Sequence, residues 1–270
     1  MPSPGNGASY HLTCGPPGFD FGEDASYTPS LDPVAKPSIS VFFPCYNDAK
    51  TIGGLVMRAD DVLRTLADDY EIIVVNDGSR DESADVLRAL DAQVPRLRVV
   101  THGVNRGYGG ALRSGFSSAT KDLVFYTDGD GQYDVGELPL LLMLLTDDTH
   151  VANGMKMARQ DPPLRIFVGN LHKFLIRWMF WLPISDVDCD FRLIRRSVLD
   201  AITLTSNSGS ICVELVKKAQ RAGALFREVS VHHYPRQFGE SQFFKPGRII
   251  RTYADIARTW VSLMVLRKDP

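Results

Sequence analysis

A chain of 270 residues with 30 lysines and arginines against 32 aspartates and glutamates, a formal charge of -2 and a pI near 6.3 exerts no global pull on nucleic acid. An anionic partner must instead be met by local clusters of arginine and lysine, and the length suits one α/β catalytic domain with appendages. Cys14, Cys45, Cys189 and Cys212 are scattered, with no CxxC pair and no histidine at zinc spacing, which argues against a zinc site or a disulfide framework and for reduced thiols.

Residues 1–37 are rich in Gly, Pro, Ser and Asp and are expected to form a flexible tail outside the fold. They carry no basic patch ahead of an apolar stretch, and no run in the chain approaches the about 18 apolar residues of a spanning helix, so a cytosolic or peripheral protein is expected. From Ile39 onward, short β-rich runs alternate with segments of helical period, the pattern of a mostly parallel sheet flanked by helices. Strands are expected over 39–43, ended by Pro44, then 71–75, 97–100 and 123–127. Helices are expected over about 51–66, from Asp81 as cap to about Leu90, and from Gly107 onward. Past about residue 150 the pattern loosens into a strand near Val151, an amphipathic segment from Arg165 to Trp181 and a polar turn from Ser185 to Asp190. A helix over about 211–222, a strand over about 225–231 and an amphipathic basic helix over 247–270 follow.

Polar residues gather where the strands end, which is where ligands bind in open α/β sheets. Asp128-Gly129-Asp130-Gly131-Gln132 places two carboxylates and an amide oxygen in one tight turn, the donor set that Mg²⁺ or Mn²⁺ takes when a substrate diphosphate supplies the remaining ligands. The same residue types also make ordinary surface turns. Asn76-Asp77-Gly78-Ser79 puts a carboxylate at another strand end, suited to a base or ribose, or to a plain strand-to-helix turn. Pro44, Tyr46, Asn47 and Asp48 can line the same crevice. Asn105-Arg106-Gly107-Tyr108-Gly109-Gly110 opens a helix whose amides can face an anion or whose glycines can serve close packing, and it lacks the GxGxxG spacing of a dinucleotide site.

Taken in order, Phe43-Pro-Cys-Tyr-Asn, Val75-Asn-Asp-Gly-Ser, Asn105-Arg-Gly-Tyr-Gly and Asp128-Gly-Asp-Gly-Gln resemble the successive motifs of family 2 glycosyltransferases. Asp188-Cys-Asp-Phe-Arg192, Glu214 and the segment from Tyr234 to Ser241 are similar to the dolichyl- and polyprenyl-phosphate sugar synthase branch. The resemblance spans roughly residues 38–246 and implies a GT-A fold in one domain over 38–246. It also implies a metal-dependent inverting transfer from a nucleotide sugar, a UDP-sugar ahead of GDP-mannose, to a polyprenyl phosphate. By the same resemblance Pro44, Tyr46, Asn47, Asp48, Asp77, Gly107, Asp128 and Gly129 hold the nucleotide sugar. Asp128, Asp130 and Gln132 hold Mg²⁺ or Mn²⁺, and Arg165, Arg192, Arg236 and Lys245 meet phosphates. Asp130, Asp188, Asp190 and Arg192 are the catalytic candidates, with Asp188 or Asp190 as the base if the acceptor is a hydroxyl. Two departures stand out: Asn76 occupies the place of a usual aspartate, and Gln242 the place of a lysine, with Lys245 nearby.

The aromatic face of Phe174, Leu175, Trp178, Met179, Phe180 and Trp181 beside Lys173 and Arg177, with the basic C-terminal segment, suits the cytoplasmic membrane surface. Packing on the core, a homo-oligomer or a membrane partner subunit would use the same residues. The competing readings are a transferase with a soluble hydroxyl acceptor and an inactive nucleotide-binding homologue.

Overall fold

The computed structural model describes residues 36–157, 163–236, 238 and 246–266. Along the chain these form β1 (Ser38–Cys45), α1 (Ala49–Leu66), β2 (Asp69–Asn76), α2 (Ser83–Asp91), β3 (Leu97–Thr101), α3 (Tyr108–Ser118) and β4 (Leu123–Thr127). A 3-10 turn leads into α4 (Leu138–Leu142), followed by β5 (Val151–Lys156), α5 (Pro163–Phe180), β6 (Phe191–Arg195), α6 (Arg196–Asp200), α7 (Ile211–Arg221), β7 (Phe226–Val231) and α8 (Pro246–Trp260). The strands make one sheet in the order β3-β2-β1-β4-β6-β5-β7, parallel except for β6, which runs antiparallel to both neighbours. The expected tail lies outside the described residues except for its last two.

Both faces of the sheet are covered, which is why β1 reads as a continuous apolar run. Ile39, Val41 and Phe43 enter the layer beneath α1 and α2, while Phe42 points to the opposite layer, where α3 and α7 pack. In that second layer the Phe42 ring stacks on Tyr126 at 5.4 Å and meets Phe116 edge-on at 5.0 Å. Helix α3 comes this close because residue 115 is glycine: a Cβ there would sit 2.3 Å from the Phe42 ring.

Two expectations about elements are corrected. Pro44 does not end β1; it pairs in register with Val75, beyond Phe42, the last residue in register with β4, so the strand is already an edge on that side. Residues 191–195 were not expected to be a strand, yet β6 lies in the middle of the sheet. Its sequence, Phe-Arg-Leu-Ile-Arg, carries arginine where a buried strand normally carries an apolar residue, which hides it from a pattern search.

A polar stitch closes the sheet end remote from the strand C-termini. Glu71 accepts from Ser40 Oγ at 2.7 Å, from Thr120 Oγ1 at 2.7 Å and from the Arg98 guanidinium at 2.9 Å. Burial pushes the Glu71 carboxyl up, but these hydrogen bonds and the arginine overcome it and hold the carboxyl below its ordinary value of 4.5. A depressed folded pKa contributes stability above the unfolded value, lost as pH falls through the folded one. Glu71→Gln is therefore expected to lower Tm at pH 7 by about 3–6 °C, with the gap to wild type closing in acid. Thermal melts across pH check this, and a gap that persists at low pH would point to lost packing instead.

Candidate active site

Strand β1 has β2 on one side and β4 on the other, so the chain switches direction across the sheet there and leaves a crevice outside the strand C-termini. The loop after β4 touches the end of β1 and the start of α1: Thr51 Oγ1 donates to the Gly129 carbonyl at 2.7 Å, and a Cβ on Gly129 would lie 2.5 Å from the Pro44 carbonyl oxygen. Because β6 is antiparallel, its first residue pairs with the last of β4, Thr127 with Phe191, and this register sets Asp190 beside Asp128.

The result is a cluster of carboxylates with few neutralising partners. Asp128 accepts from the Tyr108 hydroxyl at 2.8 Å, and Asp190 from Cys212 Sγ at 3.2 Å. Asp130 accepts from the Gln132 amide at 3.0 Å and pairs with Arg236 at 2.5 Å. Burial pushes the Asp128 carboxyl well up, and Asp190 and Asp130 push it further. Burial likewise raises Asp190 against the pull of Arg192 and Lys156. Asp48, on the β1 loop, is pushed up to about 6 by burial, with Asp130 and Asp81 adding to the rise. Like charges held this close in partial burial make a site that a cation relieves.

Among the described residues no three His, Cys, Asp or Glu side chains converge as a self-sufficient metal site. Hard cations that bind nucleotides need fewer, one or two carboxylates plus phosphate oxygens, and Asp128 and Asp130 fit that donor set. The third expected ligand, Gln132, donates its side-chain nitrogen to the Tyr234 carbonyl at 3.0 Å, which leaves its amide oxygen as the candidate donor atom.

Several residues expected to touch the nucleotide hold the loops together. Asn47, in the left-handed region at φ 60°, accepts from Arg80 N at 2.8 Å and donates its own N–H to Ser79 Oγ at 3.0 Å. Asp77, whose side chain is 4% exposed, meets His102 Nδ1 at 2.5 Å and accepts from the N–H groups of Arg106 at 2.8 Å and Gly107 at 3.0 Å. The amides expected to face a ligand at the start of α3 thus already have an internal anion. Gly109 N donates to the Asn207 carbonyl at 3.1 Å, so glycine here serves close packing. Beside these loops a cleft of about 460 Å³ opens between the ends of β2 and β3, lined among others by Asn76, Ser79, Arg80, Thr101, His102 and Asn105.

Arg192 departs most from expectation. Its side chain is 0% exposed and donates to Asn153 Oδ1 at 2.6 Å, the Tyr126 hydroxyl at 2.7 Å and the carbonyls of Val187 and Cys189. A guanidinium enclosed this way braces the loop that carries Asp188 and Asp190 and does not present itself to a phosphate. Arg236 does reach the site, on Asp130, whereas the Arg165 side chain and Lys245 lie outside the described residues. Lys156 and Tyr108 drew no role from the sequence. Lys156, the last residue of β5, donates to the Asp188 carbonyl at 2.6 Å and pulls the Asp128 and Asp190 carboxyls down. A lysine at a strand C-terminus is the signal that could have found it.

Residues 40–203 match the profile of glycosyl transferase family 2. The chain belongs to this family. It is 33% identical over 207 residues to the undecaprenyl-phosphate 4-deoxy-4-formamido-L-arabinose transferase of Enterobacter sp. (strain 638), a match covering 76% of this chain and 62% of that protein. The chain therefore spans less than two thirds of that relative's length. The fold is that of glucosyl-3-phosphoglycerate synthase from Mycobacterium tuberculosis. The structure of that enzyme with Mn²⁺, uridine-diphosphate-glucose and phosphoglyceric acid superposes with a TM-score of 0.64 at 17% identity, covering 84% of this chain and 79% of the other. Its complex with Mg²⁺ and uridine-diphosphate gives a TM-score of 0.62 at 17% identity over the same shares. This is the GT-A arrangement, a mostly parallel sheet flanked by helices.

Proposed function

We propose that this family 2 glycosyltransferase moves a sugar from a nucleoside diphosphate carrier to a polyprenyl phosphate at a membrane surface, with Mg²⁺ or Mn²⁺. The observation that carries the reading is the group of Asp128, Asp130 and Asp190 with Lys156 and Arg236 at the switch point, a site built to hold a diphosphate with a cation and a second anion beside it. The undecaprenyl-phosphate relative supports the acceptor class, and the uridine-diphosphate-glucose complex of the structural neighbour supports a UDP-sugar ahead of GDP-mannose.

A cation held by Asp128 and Asp130, with Gln132 as third candidate, would neutralise charge on the departing diphosphate. The protein's own work is positioning. Tyr108 fixes the Asp128 carboxylate, Arg236 fixes Asp130, and Lys156 offers its ammonium to the acceptor phosphate. A phosphate monoester with a second pKa near about 6 is largely dianionic at neutral pH and needs no strong base. One of its oxygens attacks the anomeric carbon as the bond to the diphosphate oxygen breaks. The nucleoside diphosphate leaves with the electron pair, inverting the centre.

Membrane contact is supported by Phe174 and Trp178 on α5 and Trp181 just past its end, 65%, 68% and 72% exposed, while Phe180, expected on the same face, is buried in the core. Exposed Arg177 flanks this face and suits an anionic interface on the cytoplasmic side, whereas Lys173, expected to do the same, is turned inward to pair with buried Asp186 at 2.5 Å. No helix among the described residues is long and apolar enough to cross a membrane. Co-flotation with anionic vesicles, lost in a Phe174→Glu/Trp178→Glu double variant, is the expected result. Flotation unchanged by the double variant would assign the face to a second copy or a partner subunit.

A soluble hydroxyl acceptor is the second reading. It draws on Asp188, which lies 3.7 Å from His172 Nε2 and offers a place for a hydroxyl proton. The two separate in one assay with radiolabelled UDP- and GDP-sugars, Mg²⁺ or Mn²⁺, and a short polyprenyl phosphate. Label is expected in the lipid phase, and Lys156→Ala is expected to raise the acceptor KM by about 10- to 100-fold with donor KM little changed. Label confined to soluble acceptors would select the second reading, and a protein that turns over no donor would end the transferase reading.

A further inference from the structure

Asp77, His102 and Ser114 form a buried chain: His102 Nδ1 meets Asp77 Oδ1 at 2.5 Å and His102 Nε2 meets Ser114 Oγ at 2.9 Å, with the His102 side chain 3% exposed. The order of groups is that of a hydrolytic triad, but the chemistry is not. Ser114 sits in the middle of α3, where backbone N–H groups are consumed by the helix and none is left to receive an oxyanion. The far side of the chain is the informative one. The carboxylate that His102 holds is the same one that takes the N–H groups of Arg106 and Gly107, and Asn105 Nδ2 donates to the Asp77 carbonyl at 3.1 Å. Tyr108, the next residue, carries the hydroxyl that holds Asp128.

We infer that His102 is a positioning residue of the donor site: through Asp77 it fixes the 105–108 loop, and so sets the Tyr108 hydroxyl on Asp128. It stands at the junction between the cleft beside β2 and β3 and the carboxylate cluster. Three segments meet on it: Asp77, just past β2; its own backbone, just past β3, which donates to the Asn76 carbonyl at 2.9 Å; and α3 through Ser114. Without His102, Asp77 keeps the Arg106 and Gly107 N–H groups but loses the contact that anchors its carboxylate from the far side. The loop then gains freedom at the point where Tyr108 must be held. The consequence for donor affinity rests on the transferase reading above; the consequence for the loop does not.

The two conservative replacements separate positioning from general packing. Asparagine can place an amide N–H near the Nδ1 position and keep the Asp77 contact, whereas glutamine reaches towards the Nε2 position and keeps only Ser114. His102→Gln is expected to raise the donor KM about tenfold with kcat within about threefold, and His102→Asn to retain most of the wild-type donor KM. Amide hydrogen exchange supplies a readout free of substrate: the Arg106 and Gly107 amides lose protection in His102→Gln and keep it in His102→Asn. Leu141→Ala, in the opposite core layer, serves as a control for loss of Tm alone. The inference is overturned if both His102 variants lose donor affinity and protection in step with Tm, as the control does, or if neither changes the exchange of the loop. A wild type that turns over no nucleotide sugar would remove the donor arm and the transferase reading with it, while the exchange arm would still decide the clamp.

Discussion

Asp130→Ala is expected to reduce sugar transfer by about 10³-fold or more while leaving the protein as stable as wild type or slightly more so. The two halves of this result come from the same geometry. Asp130 is 7% exposed, paired with Arg236 and set close enough to Asp128 and Asp48 to raise both of their carboxyls. Removing it takes one ion-pair partner from Arg236 and an acceptor from the Gln132 N–H, which costs stability, but it also relieves like-charge repulsion within a partly buried cluster, which returns it. For the reaction no such compensation is expected, because in the proposed mechanism the Asp130 carboxylate is one of the two that would hold the cation beside the diphosphate. Initial-rate assays and thermal melts on the same preparation read both halves. A variant with activity within tenfold of wild type would remove Asp130 from the site, and a large fall in Tm would make it a structural residue.

Arg192→Ala is expected to act in the opposite way, destabilising the fold by about 3–5 kcal/mol and lowering Tm by about 10 °C or more. The substitution empties a fully buried volume, removes the donor from Asn153 Oδ1, the Tyr126 hydroxyl oxygen and two carbonyls, and withdraws the positive charge that holds Asp190 down. Arg192→Lys is not expected to restore stability, since a single ammonium cannot reach four acceptors spread around a planar fork. Denaturant melts check both variants. If Arg192→Ala melted near wild type and lost acceptor affinity instead, the phosphate role suggested by its motif would stand and the bracing role would fall.

These two residues mark where sequence reading stopped. Asp130 and Arg192 each sit in a recognisable motif, and nothing in the local pattern says that one is poised in a crevice and the other sealed in the core. The difference arises because β6 is inserted antiparallel between β4 and β5, a pairing between segments more than 30 residues apart in the chain. That insertion also creates the Asp128 and Asp190 neighbourhood on which the site's electrostatics depend.

By itself the sequence determined the architecture of the first half and the ends at which chemistry gathers. Apolar runs of strand length alternating with helical period specify parallel strands, and polar residues at their C-termini specify a crevice, because both signals are local in the chain. Only the tertiary structure decided which of those polar residues bind one another. Asn47 is claimed by the loop after β2, Asp77 by His102 and the start of α3, and Arg192 by Tyr126 and Asn153. Asp128 and Asp130 are left crowded together at the switch point. A hydrogen-bond partner that lies tens of residues away leaves no periodicity behind, so a polar residue at a strand end reads the same whether it waits for a ligand or already has one inside the protein.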